Sequence, residues 1–446
     1  MRGLGLLRKR SAADTVAWRG GAPVSLGQLL ADVARLTGRL PAGRHLLNLA
    51  ADRYAFLVGF LAGAATGRTC VLPPTTAPAA LAELRARHPD LAALVDVEPP
   101  PAGLPAIRVE TGTQGAGFEP ADVRPDAVVA ILYTSGSTGE PVPHAKTWSS
   151  LVAGALALER DLARRGIAGG TVIGTVPAQH MYGLETTVML PLASGRAFHS
   201  GRPLLPADLR AARAAVREPA VLATTPLHLR AIAVEGLTLG EIACTISSTM
   251  PLARALACDA ERLLGAPLVE IYGCTETGAV ATRRTAAEEI WRPLAGVRVR
   301  PGRAAWCEGG HVERPVRLAD RLRSAPGGGF LLEGRAGDMV KIAGKRASLA
   351  ALNRMLMAVP GVRDGVFYGP TADATGLARL GAIVVAPGLD DDTLFARLAE
   401  RIDAAFLPRP LYRADALPRE ASGKLPLERL RDLVARLRAS ASPPPP

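Results

Sequence analysis

The sequence predicts an α/β protein, with a large N-terminal unit of largely parallel sheets followed by a compact α+β unit. Three observations predict it. Apolar runs of strand length alternate with stretches of helical apolar spacing through the first three quarters of the chain. At 446 residues the chain is too long for one ordinary domain. From Phe330 onward the texture changes to a mixture of short strands and helices spanning roughly a hundred residues.

The elements follow in order. Residues 26–36 have helical apolar spacing, and 54–65 form an apolar helix with Asp52 placed to cap it. Residues 69–72 read as a buried strand ended by Pro73 and Pro74, while 99–105 and 111–120 are loop-like. The continuous apolar run 127–133 has strand length and leads at once into a Gly/Ser/Thr loop. Downstream, helices are expected over 149–163, 183–192, 206–216 and 252–264, and strands over 171–176, 220–224 and 268–272. In the last quarter, helices are expected over 349–357 and 393–406 and strands over 362–368 and 380–385. The boundary is expected near 334–338, dividing 1–336 from 337–446, and the chain ends in a polyproline tail over 442–446.

Composition excludes several classes. Hydrophobic residues at 48% against 21% charged rule out disorder, and aromatics at 4% leave the cores to Ala, Leu and Val. The five cysteines (Cys70, Cys244, Cys258, Cys274, Cys307) are scattered without a CxxC pair, which reads as reduced thiols and neither a disulfide framework nor a zinc site. No apolar run reaches membrane-span length, and Arg8, Lys9 and Arg10 interrupt the N-terminus before a signal core forms. A cytoplasmic protein is expected. The net charge of +12 comes without basic runs interleaved with aromatics, which argues against nucleic acid and leaves an acidic protein partner open. Only five lysines occur: Lys9, Lys146, Lys341, Lys345 and Lys424. In so arginine-rich a chain, a retained lysine points to a place where a compact ammonium is needed.

Four motifs carry the chemistry. The first is Tyr133-Thr134-Ser135-Gly136-Ser137-Thr138-Gly139-Glu140-Pro141, directly after a buried strand. Small residues let the backbone approach a ligand, and successive N–H groups and hydroxyls form a phosphate-binding concavity. It is not a Walker A loop, because no GxxxxGK[ST] occurs. The second is Ile271-Tyr272-Gly273-Cys274-Thr275-Glu276-Thr277-Gly278: Tyr272 can stack on adenine, Thr275 can bond a phosphate, and Glu276 can hold Mg²⁺ through oxygen. The third runs from Gly334-Arg335-Ala336-Gly337-Asp338 to Gly344, and the fourth is Leu417-Pro418-Arg419-Glu420-Ala421-Ser422-Gly423-Lys424-Leu425.

In this order and at these separations, the four motifs resemble the adenylate-forming superfamily of acyl-CoA synthetases, aryl-acid ligases, luciferases and peptide-synthetase adenylation domains. The resemblance covers about 24–433. It implies an N-terminal domain of αβαβα layering, a mobile C-terminal domain on a hinge, and use of ATP and Mg²⁺ with CoA or phosphopantetheine as thiol acceptor. It also implies residue roles. Thr134, Ser135, Gly136, Ser137, Thr138 and Gly139 would wrap the ATP phosphates. Thr275 would meet the α-phosphate, Glu276 magnesium, and Asp320 the ribose hydroxyls, with Arg335 also at the nucleotide. Lys424 would bridge carboxylate and α-phosphate, an ammonium between two anions that stabilises the developing charge. His180 matches a residue lining the acid pocket and gating the thiol tunnel.

Two positions depart from the superfamily pattern. Val142 follows Pro141 where a lysine is usual, so that either Lys146 compensates or the loop does without one, and Gly337 stands at the hinge, where it would permit rotation near 337–338. The stretch His180-Met181-Tyr182-Gly183 offers no carboxylate before Glu185 for an α-ammonium, which disfavours amino acids. Candidate pocket residues at 224–228 and 247–251 suit a small aryl or medium acyl carboxylate. The runs 344–349 and 406–410 are similar to ligases of aryl-polyene or xanthomonadin-type pigment synthesis, implying a hydroxybenzoate-like acid loaded onto an acyl carrier protein. Two alternatives stand beside this reading: an acyl-CoA synthetase using free CoA, and a degenerate adenylate-binding protein without turnover.

Overall fold

The computed structural model describes residues 10–73, 76, 78–97, 103–112, 122–135, 141–335, 339–342, 345–372, 378–420 and 423–441. Two large sheets organise the N-terminal part. A six-stranded sheet runs in the order Ala106–Arg108, Ala92–Val95, His45–Asn48, Thr69–Leu72, Val128–Ser135, Pro141–Thr147, parallel except for its last pair. A nine-stranded sheet has a parallel centre, from Leu268–Cys274 through Ile242–Ser247, Ala220–Thr224, Thr171–Gly174 and Phe198–His199 to Thr15–Arg19, with antiparallel strands at both edges.

Local chemistry sets the helices between and around these sheets. Ser25 caps Leu26–Thr37 and Gln28 bonds back to the cap N–H, a reciprocal pair worth about 1 kcal/mol. Asp52 accepts from the Ala55 N–H, as its position in the sequence implied, and starts Arg53–Ala65. That helix is buried over nearly its whole circumference, and Phe56 stacks on Phe60, which stacks on Trp148 of the helix Trp148–Arg164. Its first residue, Arg53, is also buried. The guanidinium donates to Thr187 Oγ1 and to the carbonyls of Gly174, Val176, His199 and Gly201, tying the helix to the end of the nine-stranded sheet.

The C-terminal part has cores of its own. Val340, Leu352, Phe367 and Leu394 belong to one, and Ile383, Leu417, Leu430 and Leu433 to another. They pack around the strands Asp364–Ala372, Ala378–Val385 and Leu411–Arg413 with the helices Leu349–Met357, Asp391–Ala399 and Leu427–Ala441. A large N-terminal domain with a smaller C-terminal one is the expected fold class. The expected hinge at Gly337 and Asp338, the loop over 113–120 and the polyproline tail lie outside the described residues.

Some expectations need correction. The helix expected over 393–406 ends at Ala399, and a separate short turn, Ala404–Phe406, begins where Asp403 accepts from the Ala405 N–H. The helix expected over 183–192 is regular only at its ends, because Leu184–Met189 winds as a π-helical turn. Within the candidate pocket stretch 224–228, Pro226 opens the helix Pro226–Glu235. The strands Ile242–Ser247 and Gly278–Arg283 and the terminal helix were not anticipated. Among the described residues, no helix is long and apolar enough to cross a membrane.

Candidate active site

Two strands end at one cavity. Val128–Ser135 delivers Tyr133 and Thr134, and Leu268–Cys274 delivers Thr275 on the loop that follows. His180 and Lys424 line the same cavity, so four residues singled out in the sequence meet there. Its apolar wall includes Leu72, Leu132, Met181 and Ile271. A larger open hollow near Arg85, His88 and Asp90 contains none of the expected residues.

Lys424 is held by a built turn. The Gly423 N–H donates to the Glu420 carbonyl, and the Glu420 N–H to the Lys424 carbonyl, each at 2.8 Å. Arg419 braces the turn: it pairs twice with Asp364, at 2.7 and 2.8 Å, and donates to the Gly423 carbonyl at 3.2 Å. The exposed ammonium therefore sits on a fixed base. Opposite it stands the Ser248–Thr249 turn, where Thr249 has φ of +80°, a strained conformation for a β-branched residue, and a buried hydroxyl that finds no partner among the described residues.

Glu276 follows Thr275. Its backbone oxygen accepts from Lys146 Nζ at 2.7 Å, and its carboxylate lies 3.8 Å from His144 Nε2. Burial opposes the charge of Glu276, but hydrogen bonds from its own backbone and from Cys274, with His144 and Lys146 nearby, hold the acid below its ordinary range. His144 also meets Thr134 Oγ1 at 2.9 Å, so it stands between the two loops. His180 is pushed down to about 4 by burial, reinforced by the positive charges of Lys424 and Arg202, and is neutral at ordinary pH.

Other expected residues fall outside this cavity. Tyr272 donates to Asp320 Oδ2 at 2.8 Å and packs at 5.6 Å against both Trp291 and Phe330. Asp320 is paired across a hairpin with Arg335, which places two residues expected at the nucleotide side by side on the backbone. Gly136, Ser137, Thr138 and Gly139, and the side chains of Ser135 and Arg335, lie outside the described residues. From the candidate pocket stretches, Ser248 and Thr249 line the cavity, whereas 224–228 does not: His228 turns to Thr225 Oγ1 at 2.9 Å.

The sequence reading passed over His144, and it noted Glu185 only as the first carboxylate after His180. His144 reaches the phosphate loop through its pairing opposite Leu132 in the hairpin that the loop closes, a relation the sequence alone does not announce.

Comparison with known proteins decides the family. The AMP-binding enzyme family matches residues 39–308. A 4-coumarate–CoA ligase of Rhodobacter capsulatus is 31% identical over 316 residues, covering 69% of this chain and 77% of the relative. The chain belongs to the AMP-binding enzyme family. A fatty acid–[acyl-carrier-protein] ligase of Streptomyces coeruleorubidus, ScoC, is 28% identical over 396 residues, covering 75% of each chain. The crystal structure of an anthranilate CoA ligase with anthranoyl-AMP superposes with a TM-score of 0.78 at 15% identity, covering 99% of this chain and 98% of the other, which fixes the two-domain fold.

As a member of this AMP-binding family the protein is an ATP-using, AMP-forming ligase whose substrates are carboxylic acids, as the sequence motifs implied. The geometry suits the task. One mobile-length ammonium, a neutral imidazole and two hydroxyl-bearing loops converge on a cavity with an apolar wall, the ingredients for seating an acid against a phosphate.

Proposed function

We propose that this ligase activates a small aryl acid of the hydroxybenzoate-like class and loads it onto an acyl carrier protein. The observation that carries the reading is Lys424, brought from the C-terminal part into the cavity that holds Thr134, Thr275 and His180. In the first half-reaction a carboxylate oxygen attacks the α-phosphorus of ATP and pyrophosphate leaves. Lys424 bridges the two anions, Thr275 contacts the α-phosphate, and Thr134 to Gly139 hold the remaining phosphates. Tyr272, Asp320 and Arg335 take adenosine. In the second half-reaction a thiol sulfur attacks the acyl carbon and AMP leaves, after the unit 337–446 swings on 337–338 relative to 1–336.

Magnesium fits as a partner of phosphate. Glu276 offers one carboxylate, 40% exposed and held ionised, and no group of three or more candidate ligands exists among the described residues. A cation held by one carboxylate together with substrate phosphates is the usual arrangement for Mg²⁺. Bound there, it would neutralise phosphate charge.

Aryl acids are favoured by the 4-coumarate–CoA ligase relative and by the apolar wall of Leu72, Leu132, Met181 and Ile271. Glu185 does line the cavity, but it is committed to the Ala279 N–H at 3.0 Å and feels the charge of Lys146, so it offers no counter-ion to an α-ammonium. A carrier protein is favoured by the ScoC relative and by the net charge of +12, which suits an acidic partner. Free CoA is the second reading, and the 4-coumarate–CoA ligase relative favours it.

The test is acid-dependent ATP–pyrophosphate exchange across hydroxybenzoates, fatty acids and amino acids, followed by thioester formation with CoA or holo carrier protein. Exchange with hydroxybenzoates and transfer to the carrier support the proposal. Exchange confined to amino acids or fatty acids overturns the substrate, and transfer to CoA alone overturns the acceptor.

A further inference from the structure

Beneath the Thr275–Glu276 loop lies a pair of buried opposite charges that no part of the proposed chemistry uses. Lys146 is 6% exposed and Glu185 is 5% exposed. Lys146 comes from the strand Pro141–Thr147, and Glu185 from the π-helical turn Leu184–Met189, an irregular winding of the kind found at functional sites. Burial disfavours both charges. It lowers the Lys146 pKa, with Glu185 the strongest of the nearby charges working against that, and it pushes Glu185 up to about 7. Buried charges persist only where partners hold them.

The partners are two ends of one turn. Lys146 Nζ donates to the backbone oxygen of Glu276 at 2.7 Å. Glu185 accepts from the backbone N–H of Ala279 with both carboxylate oxygens, at 3.0 and 3.1 Å. The turn between them is tight, because a β-carbon on Gly278 would fall 2.4 Å from Glu185 Oε1. One cation therefore grips the start of the turn and one anion grips its end. Lys146 is also one of only five lysines in a chain that otherwise uses arginine, and a compact ammonium is what a single carbonyl in a closed space requires.

We propose that Lys146 and Glu185 act together as positioning residues for MgATP, clamping the 276–279 turn from below so that Thr275 and Glu276 face the nucleotide. This rests on the nucleotide roles proposed for Thr275 and Glu276. Neither clamp residue takes part in bond making. Their effect is on where the loop stands before substrate arrives, and small misplacements of such groups are costly.

The experiment compares Lys146→Met, Glu185→Gln, the double variant and Glu276→Gln with the parent protein. MgATP affinity is measured by calorimetry, and KM for MgATP and for the acid by pyrophosphate exchange. Lys146→Met is expected to weaken MgATP binding about tenfold or more while leaving the KM for the acid within about twofold. The double variant is expected to recover part of the loss, because the uncompensated Glu185 charge is gone. Glu185→Gln keeps the shape and an acceptor for Ala279, and serves if Lys146→Met does not fold; it is expected to weaken MgATP binding by severalfold. Unchanged MgATP affinity in folded Lys146→Met or Glu185→Gln overturns the clamp, as does an equal loss for acid and nucleotide. If Glu276→Gln leaves MgATP affinity unchanged, the role of the loop itself is wrong. If Glu276→Gln weakens it while the clamp variants do not, only the clamp fails.

Discussion

Gly423 packs directly against Met250: a β-carbon on Gly423 would lie 2.8 Å from Met250 Sδ and 3.6 Å from Thr249 Oγ1. Gly423 also holds φ of +82°, where side chains are strained. The lysine turn thus meets the N-terminal part glycine to methionine. Gly423→Ala is expected to slow adenylation by about tenfold to a hundredfold through strain and contact together. In the proposed domain swing, thioester formation from supplied acyl-adenylate does not use this docking, and it is expected to persist. Adding Met250→Ala should restore part of the loss, since it removes the contact and leaves the strain. Separate assays of the two half-reactions check this, and equal damage to both would refute it.

Lys424→Ala is expected to lower pyrophosphate exchange by about a hundredfold to a thousandfold, the scale for deleting one group that stabilises developing charge. Nucleotide binding should survive, because the rest of the cavity is intact. Lys424→Arg should rescue poorly, since a planar guanidinium does not replace a compact ammonium between two anions. Unchanged exchange in Lys424→Ala would remove the lysine from the mechanism.

Much of this site was legible because chemistry and chain order coincide. Strand-to-loop motifs announced Thr134 and Thr275, since a buried apolar run followed by small polar residues has few other uses. The Gly-Lys turn stood out against an arginine background. What stayed hidden depends on pairing across the fold. His144 reaches Thr134 only because two strands form an antiparallel hairpin. The partnership of Lys146 with Glu185 joins a strand to a π-helical turn, and helical periodicity cannot reveal a turn that winds with a different period. Strand Ile242–Ser247 was missed for a related reason: in a parallel sheet covered on both faces, Thr245 and Ser247 are as buried as Ile246, so polarity gives no alternation to read.

His180 is expected to stay neutral through the working range, because burial and the charges of Lys424 and Arg202 push it down to about 4. Its folded value lies below the ordinary one, so protonation is disfavoured and no activity limb near pH 6.5 should belong to it. Adenylation rates measured from pH 5.5 to 8 should give a constant ratio between the parent and His180→Gln. A limb near 6.5 that disappears in His180→Gln would show that the imidazole titrates there.

Glu185 should give stability a distinct pH signature. Burial raises its acid to about 7, while the Ala279 N–H and Lys146 act in the opposite direction. A raised acid means that the folded state binds the proton more tightly than the unfolded chain. Its contribution is fully present below about pH 4.5 and is lost as pH rises through 7, on the order of 3 kcal/mol. The neighbouring His311 is pushed down to about 4 by burial and does not titrate in that window. Urea midpoints of the parent should therefore fall between pH 5 and 8 relative to those of Glu185→Gln. Parallel curves would show that the carboxyl is ionised throughout.

Arg53 offers the sharpest test of stability. Its guanidinium is buried and donates to four backbone carbonyls and Thr187 Oγ1, drawn from four places in the chain: the strand end at Gly174, Val176, the π-helical turn, and the His199–Gly201 bend. Burial lowers its pKa to about 10, still far above neutrality, so the charge is present when the protein works. Removing it takes a donor from five acceptors, of which Thr187 Oγ1 and the Gly174 and Val176 carbonyls are reached through fully buried bonds. Arg53→Met keeps most of the volume but none of the donors, and is expected to cost about 3 kcal/mol or more. Arg53→Lys keeps the charge but cannot reach five acceptors at once, so it should also destabilise, though less. Because Thr187 and Val176 flank the stretch that carries His180 and Glu185, the KM for the acid should rise in Arg53→Lys even where the protein remains folded. Chemical denaturation with parallel exchange assays checks both halves. An Arg53→Met protein as stable as the parent would mean that water reaches these carbonyls and the arginine is dispensable.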